Sequence, residues 1–386
     1  MKTLFNILLL LITVTHIHAQ KHKVLQKVFE TDLNTTAVFN LTGVNVKIQP
    51  SIDGKMHFDY ELNFKNYSKK EIKEELDKIE VEVTKFDNNI HLESNSISSV
   101  HTSFNVEPHI GVVLEDDFFK KSDSIVSTFK RKTKDSILRQ VNISPIDEMK
   151  SFFKYFKTLD KNGKKVNLRT KNVKVKRTVF IIKIPPYVKL NILAEKSNIY
   201  IEDDFLNEIS LTSVAGSFKA KHLSNSNNNI EINDAPIKIE MLSNGTYKFK
   251  NVKNGLIAKV ENINMTSEFS KIEFGEIGKN VKITDFNSEL WFYNFSNNFE
   301  RFDIDAEYTK LNLFYPKDDY SIDAFGYNTI FYAGEAKITM QPNKKGEKFK
   351  MFQSKPKGIG VFAGKMYFDI IHGIIRVDDE FIKINQ

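Results

Sequence analysis

Hydrophobic and polar positions alternate along most of this chain, and between Lys189 and Ala333 the alternation returns in units. A small or polar residue is followed by hydrophobic, any, hydrophobic: Ser197-Asn198-Ile199-Tyr200-Ile201, then Gly216-Ser217-Phe218-Lys219-Ala220, then Ala235-Pro236-Ile237-Lys238-Ile239. The first hydrophobic positions of the series are Ile199, Phe218, Ile237, Leu256, Ile272, Leu290, Leu311 and Ile330, spaced 19, 19, 19, 16, 18, 21 and 19 residues apart. A fixed period of this length is the signature of a solenoid with one supersecondary unit per repeat. Several units carry a second period-2 run upstream of the turn, as in Leu190-Asn191-Ile192, Ile209-Ser210-Leu211, Ile230-Glu231-Ile232, Val281-Lys282-Ile283 and Phe302-Asp303-Ile304. Alternation buries one face of each run and wets the other. Two short strands per turn predict a mainly β chain, a parallel β-helix with rungs of about 19–20 residues, and the eight first hydrophobic positions should then stack in one inward column. An antiparallel meander would space short strands as evenly, but recurrence of the same turn chemistry favours the solenoid.

The pattern divides the chain further. Residues 1–19 read as an export signal: Lys2 supplies the positive end, Leu4 to Val14 is apolar apart from Asn6 and Thr13, and Ile17-His18-Ala19 precedes Gln20 as a cleavage site would. That apolar run is short for a membrane span, and an uncleaved anchor helix is the alternative. Residues 20–99 are strand-rich, with Ala37–Leu41, Val44–Ile48 and Met56–Tyr60 as strands and a turn at Asp53-Gly54; Ser68 stands three residues before Glu71, a capping-box spacing that starts a short helix. This region predicts a small β/α cap at the solenoid's start. Residues 100–169 break the period, and Ser122–Val141 and Ser144–Leu159 read as two helices sharing an apolar stripe that includes Ile137, Leu138 and Phe156. Residues 170–386 hold the solenoid and a C-terminal cap.

The order of these elements resembles a family of exported, adhesin-like bacterial proteins with β-strand repeats. The resemblance rests on Asn40-Leu41-Thr42-Gly43-Val44-Asn45-Val46, the helix-strand from Glu71 to Val83, Ile182-Lys183-Ile184-Pro185 and the repeating turns, and leaves out Val100 to Arg169. It implies a parallel β-solenoid in the cell envelope, periplasmic or on the cell surface, without catalytic residues.

Composition narrows the function. The sequence has no cysteine, which excludes disulfides, thiol nucleophiles and a lipidated cysteine anchor. Its 32 Phe and 13 Tyr supply the buried area that a disulfide-free exported chain needs. Charge is polarised: Lys120 to Lys183 carries 19 Lys and Arg against 5 Asp and Glu, a net of +14 in a chain whose total is +7. Lys130, Arg131, Lys132 and Lys134 are its densest cluster and the candidate polyanion site, for which an acidic glycan, lipopolysaccharide or an acidic envelope protein is the expected partner and nucleic acid is not.

Catalysis would need clustered carboxylates or a nucleophile with a base. The doublets Asp116-Asp117, Asp203-Asp204, Asp318-Asp319 and Asp378-Asp379 are the candidates, but each reads as a solvated turn, and His222 lies 18 residues beyond Asp204. No zinc-protease, nucleophile-elbow, phosphate-loop or calcium-loop motif occurs, and no cofactor or metal is expected. His57 and His91 sit alone on strand patterns, and Trp291 sits between Leu290 and Phe292 in a repeat strand. The sequence therefore predicts a non-enzymatic binding or adhesion scaffold. The alternatives are a structural or regulatory periplasmic module that docks a protein partner, or a polysaccharide-active β-helix enzyme.

Overall fold

The computed structural model describes residues 20–96, 102–105, 111–114, 131–142, 156–159, 174–316, 320–332, 339–340, 349–354 and 364–377. Residues 1–19, read from the sequence as an export signal, Lys130 and the doublets Asp116-Asp117, Asp318-Asp319 and Asp378-Asp379 lie outside them. Among the described residues, twenty-six strands join in one continuous sheet, which winds around a core of Ile, Val, Leu and Phe.

Each rung contributes two strands meeting at a corner. On the first wall, residues 190–195 pair in parallel with 209–214, which pair with Asn229–Asn233, Thr246–Lys250, Ile263–Glu268, Val281–Phe286 and Arg301–Glu307 in turn. On the second wall, 198–201 leads through 216–220 to Ile237–Ser243, Gly255–Glu261, Lys271–Ile277, Glu289–Phe292 and Lys310–Leu313. The parallel register at each step is that of a β-solenoid and excludes the meander.

The corners explain the small residue in the repeat. One residue per corner takes the left-handed conformation: Lys196, Ala215, Asp234, Asn251, Phe269, Asn287, Tyr308, Asn328 and His372 all have φ between 48° and 60°. The residue after it is turned under the bend with almost no room. At Gly216 a Cβ would stand 2.0 Å from the Ser197 carbonyl oxygen. At several other corners a hydroxyl fills the place and satisfies the preceding rung: Ser270 Oγ accepts from Val252 N at 3.1 Å, and Ser288 Oγ from Ser270 N at 3.0 Å.

Asp285 is buried beneath this corner, where it accepts from Ser267 Oγ, Thr309 Oγ1 and, at 3.2 Å, Ser288 N. Burial pushes its carboxyl above the ordinary range against the pull of those donors. A carboxyl raised in the folded state binds its proton more tightly there than unfolded, so its contribution is fullest at low pH and lost as pH rises through the folded value. Thermal melts from about pH 3 to about pH 7 should therefore show Asp285→Asn gaining on the wild type as pH increases. A gap that moves the other way would contradict the buried carboxyl.

Two positions in the expected inward column are corrected. The corner at Asn251 to Gly255 is one residue longer than its neighbours, so Gly255, not Leu256, pairs with Ile237 and Ile272. One inserted residue in a strand of period 2 turns every following side chain over, and Leu256 faces outward. Counted to Gly255 instead of Leu256, the uneven spacings of 19 and 16 become 18 and 17. At the other end Ile330 is 52 % exposed, and its neighbour Phe331 packs against the core opposite Ile375. The column therefore runs Ile199, Phe218, Ile237, Gly255, Ile272, Leu290, Leu311, Ile375.

Rung order also departs from chain order. Gly364–Ile371 pairs in parallel with Arg301–Glu307 on one side and Tyr320–Tyr327 on the other. Ile374–Val377 lies likewise between Lys310–Leu313 and Ile330–Tyr332. The C-terminal strands thus fill a gap that the chain skipped, and Phe349–Ser354 covers Tyr320–Tyr327 in the antiparallel sense.

At the other end, Thr36–Thr42 and Asn45–Pro50 form a first rung around Gly43, continued by an antiparallel hairpin of Ile79–Phe86 and Asn89–Ser96. Lys174–Ile184 joins the second wall in parallel with Asn45–Pro50, and Lys55–Lys65 and then Gln20–Glu30 follow it as antiparallel strands. Helix α1 (Lys69–Leu76) starts on the expected capping box of Ser68 and Glu71. It is tied to the sheet by Glu75, which meets buried Lys176 at 2.6 Å. Within 100–169 the sequence expectation is only partly met. Helix α2 (Lys134–Asn142) overlaps the C-terminal end of the first predicted helix and runs one residue past it, but Phe156–Leu159, assigned to the second, is a strand antiparallel to Gly111–Leu114. A β-branched and aromatic run with a partner strand available overrides weak helical periodicity.

Candidate functional site

Three of the four residues in the predicted polyanion cluster are turned onto the solenoid. Arg131 donates from Nε to the Tyr293 carbonyl at 2.9 Å and to Asn294 Oδ1 at 3.2 Å, with its guanidinium 5.8 Å from the Phe314 ring. Lys132 pairs with Glu273 and lies 5.5 Å from the Tyr293 ring; Lys134 meets Glu276 at 3.3 Å. Asn294 Nδ2 donates back to the Lys132 carbonyl at 3.0 Å. Behind this clasp, Ile137 and Val141 of α2 are fully buried on an outward-facing apolar patch of Leu256, Ala258, Trp291, Tyr293 and Phe314. The one-residue corner insertion puts Leu256 in that patch. Trp291, whose indole donates to Glu289 at 2.8 Å, belongs to this joint.

The basic residues thus hold a helix in place, and a prediction follows from that geometry. Arg131→Ser/Lys132→Ser/Lys134→Ser should elute from heparin at nearly the wild-type salt concentration, while α2 becomes an early site of limited proteolysis. Much earlier elution with α2 still protected would return the cluster to the role of a polyanion site.

Among the carboxylate doublets, Asp203 and Asp204 are described. Asp203 pairs with Lys221 at 2.9 Å. Asp204 Oδ1 lies 3.1 Å from His222 Nδ1, and His222 Nε2 lies 3.0 Å from Ser243 Oγ. With the proton on Nδ1, this is the order of contacts in a Ser-His-Asp triad. The sequence separations of 18 and 21 conceal it, although each is about one rung, and residues one rung apart stack. The nucleophile's place is closed, however: Ser243 is 5 % exposed, while Asp204 stands in solvent. The other predicted histidines stay apart: His57 pairs with Asp53 at 2.9 Å and His91 lies exposed on the Asn89–Ser96 strand. Among the described residues no group of three or more His, Asp or Glu side chains could hold a metal ion.

The surface that sequence reasoning missed runs along the corner. Phe269, Phe286, Tyr308 and Tyr327 are 46, 39, 49 and 36 % exposed. They form a ladder with His372: Phe269 to Phe286 at 5.4 Å, Phe286 to Tyr308 at 5.9 Å, Tyr308 stacked on His372 at 5.0 Å, and His372 to Tyr327 at 5.7 Å. Beside it, the outer face of the first wall carries Asp303, Asp305, Glu307, Asp323 and Asp369, with Tyr367 and Phe325 in contact at 5.5 Å. Burial first, and then the charges of Asp369, Asp305, Asp303 and Asp323, push the Tyr367 phenol upward, so it stays a neutral donor. A shallow concavity of about 430 Å³ lies between Thr284, Phe286, Asp305, Glu307, Asp369 and Ile371.

Architecture defines the class: a mainly β, parallel solenoid whose rungs present a continuous outer wall. No protein-family model matches the chain, and no curated protein matches it. A crystal structure of a proposed cell adhesion protein from Clostridium sporogenes aligns over 93 % of this chain and 98 % of its own, at 11 % identity and a TM-score of 0.18. A likeness at that score carries no argument here.

Proposed function

We propose that the chain is a non-enzymatic binding scaffold of the cell envelope or cell surface, and that its ligand meets the outer face of the first wall between Ile263 and Ile371. The observation that carries this is the exposed corner ladder. Large aromatics cost solubility when left in water, and a contiguous row of them beside polar groups marks an interaction surface. Helix α2 spends its buried residues, Ile137 and Val141, on the rod, so that face of it is not open to a partner. No helix among the described residues is long and apolar enough to cross a membrane.

The test is retention of the purified full chain on intact bacterial cells and on isolated envelope fractions. Phe286→Ser/Tyr308→Ser/Tyr327→Ser should lose retention while keeping the wild-type circular dichroism and melting behaviour. Unchanged retention would place the binding surface elsewhere. The enzymatic alternative rests on Asp204, His222 and Ser243, and for it we expect hydrolysis of p-nitrophenyl acetate at the buffer rate, unaltered by His222→Ala. Turnover lost in His222→Ala and in Ser243→Ala would establish a working triad.

A further inference from the structure

On the reading that the first wall is the binding face, its chemistry also points to a class of ligand. The concavity is floored by parallel strands whose backbone groups are engaged by the rungs on either side. A peptide cannot add itself there as a strand, because that mode needs an open edge. Recognition must come from side chains alone, and these are of two kinds. Asp305, Glu307 and Asp369 offer carboxylates, which accept hydrogen bonds and donate none when ionised. Phe286 offers a flat apolar face within the concavity, and Tyr367, two residues before Asp369 on the same outer face, offers another beside it. Lys282 and Arg301 pair with Asp305 at 3.7 Å and Asp303 at 2.7 Å, which orients those carboxylates and leaves the surface acidic.

The complement of such a surface is a molecule rich in donors, with flat C–H faces and no negative charge. Sugar rings have that composition: hydroxyls around the edge and apolar faces above and below. The trough is open and crosses successive rungs, so it suits a stretch of chain better than one enclosed ring. Its volume falls within the range of about 300–1,000 Å³ usual for ligand sites. Carboxylates so placed repel sulfated, phosphorylated or uronic-acid polymers, the opposite of the preference that the basic segment suggests.

We propose that the trough between Phe286, Asp305, Glu307 and Asp369, with Tyr367 beside it on the same outer face, binds a non-acidic glycan chain, neutral or amine-bearing. The probes are cello-, chitin- and chitosan-oligosaccharides, with oligogalacturonate as the acidic control, titrated calorimetrically into the full chain. Binding is expected from at least one non-acidic series and not from the control. Asp305→Asn/Asp369→Asn, which keeps shape and removes charge, should weaken it by about tenfold or more, and so should Phe286→Ala separately. Since those strands are parts of the core, each variant is first matched to wild type by its melting curve, and Tyr367→Phe gives a conservative second readout.

Oligogalacturonate binding as well as the others, or variants that bind every probe like wild type, would overturn the proposal. If no probe binds while retention on cells still depends on Phe286, Tyr308 and Tyr327, the glycan assignment fails and the scaffold function stands. If retention also ignores those residues, both fail. Retention on cells that protease treatment abolishes and glycosidase treatment spares would assign the face to a protein partner instead.

Discussion

Removal of residues 364–386 is expected to strip the last rungs from the rod while leaving the middle intact. Among the described residues, Tyr320–Tyr327 pairs with the solenoid rungs only through Gly364–Ile371, and Ile330–Tyr332 only through Ile374–Val377. The backbone bonds that close the joint include Tyr308 N to the Ile371 carbonyl at 2.9 Å and His372 N to the Tyr327 carbonyl at 2.8 Å. Met366, Phe368, Ile370, Ile375 and Val377 are all buried, and their loss forfeits on the order of 10 kcal/mol of apolar burial, an upper figure because unfolded chains are partly collapsed. That is comparable with the whole stability of an ordinary domain. Solenoid stability is nearly a sum of neighbouring contacts, so the damage should be confined. In hydrogen exchange, protection should vanish over residues 320–332 and persist over 209–250. Retained protection at 320–332 would mean that these strands have another attachment and that the out-of-order rung is incorrect.

The second large effect is expected in the inward column. Ile272 is fully buried between Gly255 and Leu290, with its branched side chain within 3.0 Å of where a Gly255 Cβ would stand. Its neighbour therefore leaves just the room that Ile272 occupies. Truncation to Ala should cost about 2–5 kcal/mol, the range for a large buried aliphatic residue whose site cannot collapse. Leu256→Ser provides the contrast, because that side chain lies on the outer patch under α2. It should free the helix to proteolysis with a smaller loss in the melting of the rod. Equal losses from the two variants would indicate that the longer corner at Asn251 to Gly255 does not turn the strand over.

These two expectations also mark what the sequence can and cannot reveal. Period and alternation are local, so Ile199, Phe218, Ile237, Ile272, Leu290 and Leu311 were legible as core, and the Ser68–Glu71 cap was legible as a helix start. Leu256 was not, since the pattern at Asn254-Gly255-Leu256-Ile257-Ala258 offers apolar residues on both faces and only the pairing partner decides between them. Ile330 and Phe331 pose the same ambiguity. Insertion of the C-terminal strands was illegible because a solenoid period implies stacking in chain order. For function, the charge of Lys132 and Lys134 was visible, but not that Glu273 and Glu276, some 140 residues away, take it up. The corner ladder needs five rungs in their true order. His372 stands between Tyr308 and Tyr327 in space but after both in sequence, so no scan along the chain would assemble it.

Hydroxyl-radical footprinting of the full chain, free and bound to intact cells, addresses the binding face most directly, because aromatic side chains are its readout. Phe286, Tyr308, Tyr327 and Tyr367 should become protected on binding, while Trp291 and Tyr293, already covered by α2, should not change. Protection concentrated on residues 131–142, with the corner aromatics as reactive as in the free chain, would contradict the assignment of the first wall as the surface that meets the ligand.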